Sequence, residues 1–198
     1  MILRSLLRLE NLENFYLSND IFIMEINKKK LIKILDETAI QNRVQEIATE
    51  LSNKFDNKKP IFIGVLNGSF IFLSDLVRSL SINCEVDFIK VSSYKGQDTT
   101  GTVKLLKDIS ADITNRHIII VEDIIDSGLT IEFLVKRLRG ASPRSISIVT
   151  LLLKPDIAKL SLPIDIIGFE IAPDFVVGYG LDYDQDFRHL PAVYRLEK

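Results

Sequence analysis

The chain has 198 residues, of which 46% are hydrophobic and 26% are charged. These values are typical of one sizeable globular domain, so disorder is not the default and a second full domain is not expected. The net charge of −2 provides no general attraction to nucleic acids or anionic membranes. A single cysteine, Cys84, excludes an intramolecular disulfide and fits the reducing cytoplasm.

The first residues of the chain differ from the rest. They are mildly apolar, but arginines and glutamates interrupt them, so they lack the unbroken apolar stretch of a signal peptide or a membrane span. Met24 then opens a charged segment with a helix-like pattern, and translation of the natural protein could begin there. We therefore expect an N-terminal extension, residues 1–23, followed by one domain, residues 24–198, with no membrane association.

The first regular pattern covers residues 29–54, where apolar residues follow helical spacing and predict one or two amphipathic helices. Short apolar runs then alternate with helical or polar stretches. Continuous runs of this kind are typical of strands buried on both faces. The runs predict strands near residues 61–65, 86–91, 118–121, 146–153 and 164–167, and the intervening patterns predict helices near residues 69–80 and 130–139.

This alternation favours an α/β fold with a central, mainly parallel sheet flanked by helices. Because ligands of such folds bind at the carboxyl ends of the strands, the candidate functional residues are those that follow each apolar run. The polar connection over residues 92–102 is long for a compact domain. It predicts a mobile lid, with a plain surface loop as the alternative.

The most informative segment covers residues 118–130, where an apolar run leads into three carboxylates and a small polar loop. Glu122 and Asp123 are adjacent, and their oxygens suit a sugar's vicinal hydroxyls or a magnesium ion. The loop from Asp126 to Thr130 precedes a helix, so its amides and hydroxyls could bind a phosphate monoester. The same residue types also favour a simple turn and helix N-cap, so the loop alone does not decide between these functions.

Residues 121–130 resemble the phosphoribosyl pyrophosphate signature of type I phosphoribosyltransferases, in the sequence variant of the hypoxanthine-guanine branch. Residues 175–183, followed by Phe187 and Arg188, resemble the purine pocket of that branch. The resemblance runs from about Leu35 to the end of the chain. It implies the type I phosphoribosyltransferase fold, with a small hood over the active site. It also implies purine salvage, in which hypoxanthine or guanine and phosphoribosyl pyrophosphate become IMP or GMP and pyrophosphate.

The resemblance also implies a role for each matching residue on the donor side. Asp126 would be the catalytic residue, accepting a proton from the purine and stabilising the positive charge on the sugar; a structural cap is the alternative. Glu122 and Asp123 would hold the ribose hydroxyls directly or through Mg²⁺. The 5′-phosphate would bind to Asp126, Ser127, Gly128, Leu129 and Thr130, the pyrophosphate to Leu66, Asn67, Gly68 and Arg188, and the lid would be formed by Ser93 and Tyr94.

On the purine side, the resemblance implies that Lys154 contacts the six-oxo group, which favours hypoxanthine and guanine over adenine. Phe175 would stack on the base, Val176 would offer backbone groups, and Asp182 would bind a magnesium ion that bridges the pyrophosphate. Asn67 departs from the family pattern, because many relatives have a lysine there. The departure puts a side-chain contact to pyrophosphate in doubt, but not a backbone contact.

Two other functions remain open at this stage. A regulator with the same fold could sense phosphoribosyl pyrophosphate or a nucleotide and bind nucleic acid, but it would need a basic face. A transferase for another base, such as xanthine or a pyrimidine, is the second alternative. Relatives commonly form dimers or tetramers, so we expect a homodimer or a homotetramer. We assign no catalytic role to His117 or His189.

Overall fold

The computed structural model describes the backbone of residues 12–18, 21–26, 29–94 and 102–197, and the side chains of residues 30–92 and 103–197. This part of the chain divides into two compact units. The smaller unit contains the chain up to Ile40 and from Asp174 onward, and the larger unit contains residues 41–173. No helix in the described ranges is long and apolar enough to cross a membrane.

The elements follow one another along the chain in the order β-β-β-α-β-α-β-β-β-α-β-β-β-β. The helices are α1 (Glu37–Lys54), α2 (Phe70–Ser79) and α3 (Leu129–Arg139). The strands are β1 (Leu12–Ser18), β2 (Ile21–Ile26), β3 (Lys29–Leu35), β4 (Ile61–Leu66), β5 (Glu85–Tyr94), β6 (Thr102–Lys107), β7 (His117–Ile125), β8 (Ser145–Leu153), β9 (Ile166–Glu170), β10 (Val176–Val177) and β11 (Val193–Leu196).

The larger unit is built on a six-stranded sheet with the order β6-β5-β4-β7-β8-β9. Every neighbouring pair is parallel except β5 and β6, which are antiparallel. The predicted mainly parallel sheet is therefore confirmed. Because the central strands are buried on both faces, they consist almost wholly of apolar residues. The core includes Ile61, Ile63, Ile89, Ile118, Ile120, Ile131, Leu134 and Ile148.

The smaller unit contains an antiparallel sheet with the order β1-β2-β3-β11-β10. The predictions of helix from residue 29 and of a helix-like segment opening at Met24 are wrong, because these residues lie in β3 and β2. Strand β3 pairs with β2 on one side and β11 on the other, and pairing between distant segments overrides a local pattern. Helix α1 begins after Asp36, whose Oδ1 accepts the N–H of Ala39 at 2.8 Å.

Strand β7 is longer than predicted. It was expected to end at Val121, but it continues to Ile125 because its pairing with β8 extends to Leu153. Glu122 and Asp123 therefore lie inside the strand, and their side chains point to opposite faces of the sheet. Only 8% of Glu122 is exposed, whereas Asp123 is half-buried.

Candidate active site

Three predicted site segments lie at one edge of the larger unit's sheet. Leu66 ends β4, the loop that starts at Asp126 follows β7, and Lys154 follows β8. These strands are parallel neighbours, so their carboxyl ends lie side by side. The structure thus brings together the segments expected to bind pyrophosphate, the 5′-phosphate and the purine.

Glu122 is a buried carboxyl group at this edge. Its Oε2 atom has no hydrogen-bond partner among the described residues. Burial, and after it the charge of Asp123, raise the pKa of Glu122 well above its ordinary value. A group in this condition is stabilised by a proton, by a hydroxyl donor or by a cation.

Asp123 lies against the loop that follows β4. A Cβ atom on Gly68 would overlap Oδ2 of Asp123, so only glycine allows this close approach of carboxylate and backbone. The peptide bond between Leu66 and Asn67 in the same loop is cis. The loop after β4 and the carboxylate of Asp123 therefore form one packed arrangement.

The loop after β7 leads directly into α3. Gly128 precedes the helix with φ of 89°, a left-handed conformation that favours glycine. A Cβ atom there would also approach Cδ2 of Leu160 to 2.5 Å. Asp126, Ser127 and Leu129 are exposed. The first turn of α3 is thus open to an anionic ligand, in the arrangement that phosphate groups favour.

Residues 154–161 support this loop, and of these the sequence analysis singled out only Lys154. The N–H groups of Lys154 and Lys159 donate to the carbonyl oxygens of Ile125 and Ser127, at 3.0 and 3.2 Å. Glu132 on α3 accepts two hydrogen bonds from Ser161, from the N–H at 3.0 Å and the hydroxyl at 2.7 Å. The contacts join residues far apart in sequence, so no local pattern indicated them.

Lys154 is the buried cation of the site. Its side chain is 9% exposed, and its Nζ lies 3.6 Å from Oδ2 of Asp126, whose side chain is 55% exposed. A buried ammonium group needs an acceptor, and Asp126 provides one. The separation is longer than a strong hydrogen bond, so this is an ion pair that leaves the ammonium hydrogens available to another acceptor.

The expected base-binding and pyrophosphate-binding residues near the end of the chain lie in the smaller unit. The ring of Phe175 is edge-on to Tyr183, with centroids 5.8 Å apart, and Phe175 is 53% exposed. Val176 is buried in β10. Nη2 of Arg188 lies 2.8 Å from Oδ1 of Asp182, and Nη1 donates to the carbonyl oxygen of Gly180. Asp182 and Arg188, which were expected to have separate roles, are thus an ion pair.

The remaining expected residues are those of the lid. The backbones of Ser93 and Tyr94 end β5, paired with Val103 and Thr102 of β6. Their side chains and residues 95–101 lie outside the described residues. In the described ranges, no group of three or more His, Cys, Asp or Glu side chains could hold a metal ion.

Comparison with known proteins identifies the family. A model of the phosphoribosyl transferase domain matches residues 32–184. The hypoxanthine phosphoribosyltransferase of Buchnera aphidicola subsp. Schizaphis graminum is 44% identical over 163 residues, which are 81% of this chain and 92% of that protein. The hypoxanthine-guanine phosphoribosyltransferase of Bacillus subtilis is 44% identical over 162 residues, which are 81% of this chain and 89% of that protein.

Solved structures agree with this result. A crystal structure of a hypoxanthine-guanine phosphoribosyltransferase from Bacillus anthracis matches with a TM-score of 0.80 and 41% identity, covering 83% of this chain and 98% of that one. A hypoxanthine phosphoribosyltransferase from Staphylococcus aureus matches with a TM-score of 0.80 and 36% identity, covering 83% of this chain and 90% of that one. The family and fold expected from the sequence are confirmed. The chain therefore belongs to the phosphoribosyltransferase family, in its hypoxanthine-guanine branch.

Proposed function

We propose that this protein is a purine salvage enzyme that converts hypoxanthine or guanine and phosphoribosyl pyrophosphate to IMP or GMP and pyrophosphate. The observation that carries the proposal is the pairing of buried Lys154 with exposed Asp126. The pair supports the proposal, because the ammonium could donate to a base oxygen and the carboxylate could accept a base proton. Transfer of a phosphoribosyl group to an oxopurine can use both groups.

Donor binding is assigned to the carboxyl edge of the larger sheet. The loop from Asp126 to Thr130 would bind the 5′-phosphate with its amides and hydroxyls, at the start of α3. Glu122 and Asp123 would hold the ribose hydroxyls. The carboxyl of Glu122 supports this role, because its free oxygen is buried and a sugar hydroxyl would satisfy it.

The proposed chemistry is a displacement at the anomeric carbon of the ribose. The bond from that carbon to pyrophosphate breaks, and pyrophosphate leaves with the electron pair. A lone pair of the purine nitrogen forms the new bond, and the proton of the purine goes to the carboxylate of Asp126. Because positive charge develops on the sugar during the reaction, the negative charge of Asp126 also stabilises the transition state.

Lys154 would select the base. An ammonium group donates hydrogen bonds and accepts none, so it matches the six-oxo group of hypoxanthine or guanine. Adenine presents an amino donor there, which would leave the buried ammonium facing another donor. Sites with buried polar groups reject a mismatched partner strongly, because both groups then remain unsatisfied.

Mg²⁺ is the cofactor we propose, and the acidic pair of β7 fits it. The pKa of Glu122 is raised by burial and by Asp123, and a divalent cation would offset both effects. Substrate oxygens and water would supply the remaining ligands, as is usual for Mg²⁺. The ion would neutralise negative charge on the pyrophosphate leaving group.

The residues of the smaller unit complete the proposal. Phe175 exposes a large part of its ring, as a base-stacking residue requires. Val176 would offer backbone groups to the purine edge. Arg188 has a planar fork suited to pyrophosphate, and Asp182 would bind a Mg²⁺ ion. Arg188 and Asp182 form an ion pair with each other. Ligand binding would replace this ion pair with a contact from Arg188 to pyrophosphate and a contact from Asp182 to the metal.

We also propose that the enzyme is a homodimer or homotetramer in the cytoplasm. The single free cysteine, Cys84, supports the location, since it fits a reducing compartment. Size-exclusion chromatography with light scattering measures the assembly directly. A monomer at micromolar concentration would contradict the assembly proposal.

The decisive assay mixes purified protein, Mg²⁺ and phosphoribosyl pyrophosphate with hypoxanthine, guanine, xanthine or adenine separately, and follows nucleotide formation. We expect product from hypoxanthine and guanine. Adenine as the sole accepted base would refute the role of Lys154. Absence of product with every base, together with no binding of phosphoribosyl pyrophosphate in calorimetry with Mg²⁺, would refute the enzyme assignment.

A further inference from the structure

A second cluster of polar groups lies in the larger unit, at the opposite edge of the sheet from Asp126 and Lys154. His117 is the first residue of β7, and Arg144 immediately precedes β8. Since β7 has nine residues, this edge is roughly 30 Å from the candidate active site. We call it the basic cleft; it has a volume of about 240 Å³ and is lined by Asn57, Lys58, Asn115, Arg116, His117 and Arg144.

Backbone hydrogen bonds hold the two arginines of the basic cleft beside each other. The N–H of Arg144 donates to the carbonyl oxygen of Arg116 at 2.8 Å, and the N–H of Asn115 donates to Ser142 at 3.0 Å. Nη2 of Arg116 donates to the carbonyl oxygen of Lys59 and to Oε1 of Glu85, each at 2.9 Å. The other side-chain donors of Arg116 have no partner in the described part of the chain, and they remain available to a ligand.

Positive charge in the basic cleft is only partly compensated. The ammonium of Lys58 donates to the backbone carbonyl of Lys54 at 2.6 Å and has no carboxylate partner among the described residues. Arg144 likewise forms no ion pair within residues 30–92 and 103–197. Glu85 pairs with Arg116, but it also pairs with Lys59 at 2.9 Å. Asp56 and Asp112 do not line the basic cleft, but Oδ2 of Asp56 accepts from Nδ2 of Asn57 at 2.8 Å and Asp112 interacts with the charge of Arg116. The uncompensated positive charge is therefore that of Lys58 and Arg144.

His117 lies in the positive electrostatic environment of the basic cleft. Its Nδ1 lies 2.7 Å from the hydroxyl of Ser145, and its ring meets Phe55 edge-on at 5.6 Å. Burial, then the charges of Arg144 and Lys58, lower the pKa of His117. Repulsion between cations of this kind is relieved when an anion binds between them.

We propose that the basic cleft binds a phosphate group, carried either by inorganic phosphate or by a nucleoside monophosphate. Two arginine side chains, the ammonium of Lys58 and the amide of Asn115 provide donors around one small volume, and a phosphate group has several acceptor oxygens for them. The site is separate from the catalytic edge. Phosphate binding in the basic cleft does not depend on which base the enzyme uses.

The chain contains only two histidines, which provides a direct test. Two-dimensional NMR of protein with ¹⁵N-labelled histidine gives one ring pattern for His117 and one for His189, and a His189→Asn variant assigns them. The protein is titrated at constant ionic strength with inorganic phosphate and, separately, with uridine monophosphate. We expect saturable shifts of the His117 signals and an upward change of its apparent pKa.

Two substitutions test the residues that would hold the ligand. Arg144→Ala should weaken binding about tenfold, the usual effect of losing a charge-assisted hydrogen bond. Lys58→Gln should also weaken it, and both side chains are exposed, so the fold should be unchanged. Arg78→Ala is the matched control, because Arg78 is exposed and pairs with Asp75 outside the basic cleft.

The two ligands distinguish the sources of the phosphate. Equal affinity for both would identify the phosphate group alone as the recognised feature, and tighter binding of uridine monophosphate would identify a phosphate monoester. A shift that sodium chloride reproduces would overturn the proposal. So would the absence of a saturable shift, or an Arg144→Ala variant that binds as tightly as the unaltered protein.

Discussion

The Nζ atom of Lys154 lies 3.6 Å from Oδ2 of Asp126, although the two residues follow different strands. A backbone hydrogen bond keeps the two residues close, because the N–H of Lys154 donates to the carbonyl oxygen of Ile125 at 3.0 Å. The proposed base-contacting cation and the proposed proton acceptor are therefore held close together by the sheet. Such an arrangement needs little rearrangement during the reaction.

Asp126→Asn should lower turnover at least about tenfold, because an amide does not accept the purine proton. Binding of phosphoribosyl pyrophosphate should be mostly retained, since asparagine has a similar size and the loop amides are unchanged. Steady-state kinetics with hypoxanthine and calorimetry with phosphoribosyl pyrophosphate measure the two effects. Asp156→Asn, an exposed acid two residues after Lys154, is the control. Unchanged turnover in Asp126→Asn would leave Asp126 only a structural role.

Gly68→Ala should weaken pyrophosphate and phosphoribosyl pyrophosphate binding, because the added Cβ atom would overlap Oδ2 of Asp123 and move the loop or the carboxylate. A displacement of this kind commonly costs about a hundredfold in rate when it occurs at an active site. Gly140→Ala is the matched control. Its φ is −61° and the new Cβ would meet only the carbonyl oxygen of Arg137, at 3.3 Å. Equal kinetics for both variants would contradict the tight contact between Gly68 and Asp123.

Glu122→Gln should stabilise the metal-free protein at neutral pH while reducing its activity. The substitution removes a buried carboxyl that resists ionisation and whose Oε2 has no described partner. We expect a gain of about 1 kcal/mol, or roughly 2–4 °C in Tm for a chain of this size. Thermal unfolding in the presence of a chelator measures the effect. Glu50→Gln, an exposed change on α1, should alter Tm very little, and a lower Tm in Glu122→Gln would refute the prediction.

Asp165 should contribute to the acid sensitivity of the fold. Burial alone would raise the pKa of its carboxyl, but hydrogen bonds from Lys54, the N–H of Ile148 and Ser147 outweigh that effect and lower it. A lowered pKa means that the stabilisation is present above the ordinary value of 3.8 and is lost as the pH falls through the folded-state pKa.

Asp165→Asn should therefore be less stable than the unaltered protein at neutral pH, and the difference should shrink as the pH falls below about 4. Urea unfolding across this range measures the difference. Asp156→Asn, an exposed acid that forms no ion pair within the described ranges, should show no such trend. A difference for Asp165→Asn that stays constant with pH would mean that its charge is not the cause.

The parallel sheet was predictable because its strands are buried on both faces and so consist of continuous apolar runs. The loop after β7 was predictable from its residue types, and its place at the sheet edge followed from the fold. Strand β3 was not predictable, since its conformation depends on β2 and on β11, which lies at the far end of the chain. The bonds from Ser161 to Glu132 also span 29 residues, so they leave no local signal.

The shared register of β7 and β8 has a consequence for how this scaffold can change. His117 pairs with Ser145 at one end and Ile125 with Leu153 at the other. The loops that follow β7 and β8 therefore begin at adjacent residues of neighbouring strands. The distance between their first residues is set by the spacing of the strands and not by the lengths of the loops. If position 154 selects the nucleobase as proposed, exchanging its side chain would change the preference. The backbone distance between positions 126 and 154 would remain that of adjacent strands, about 4.8 Å.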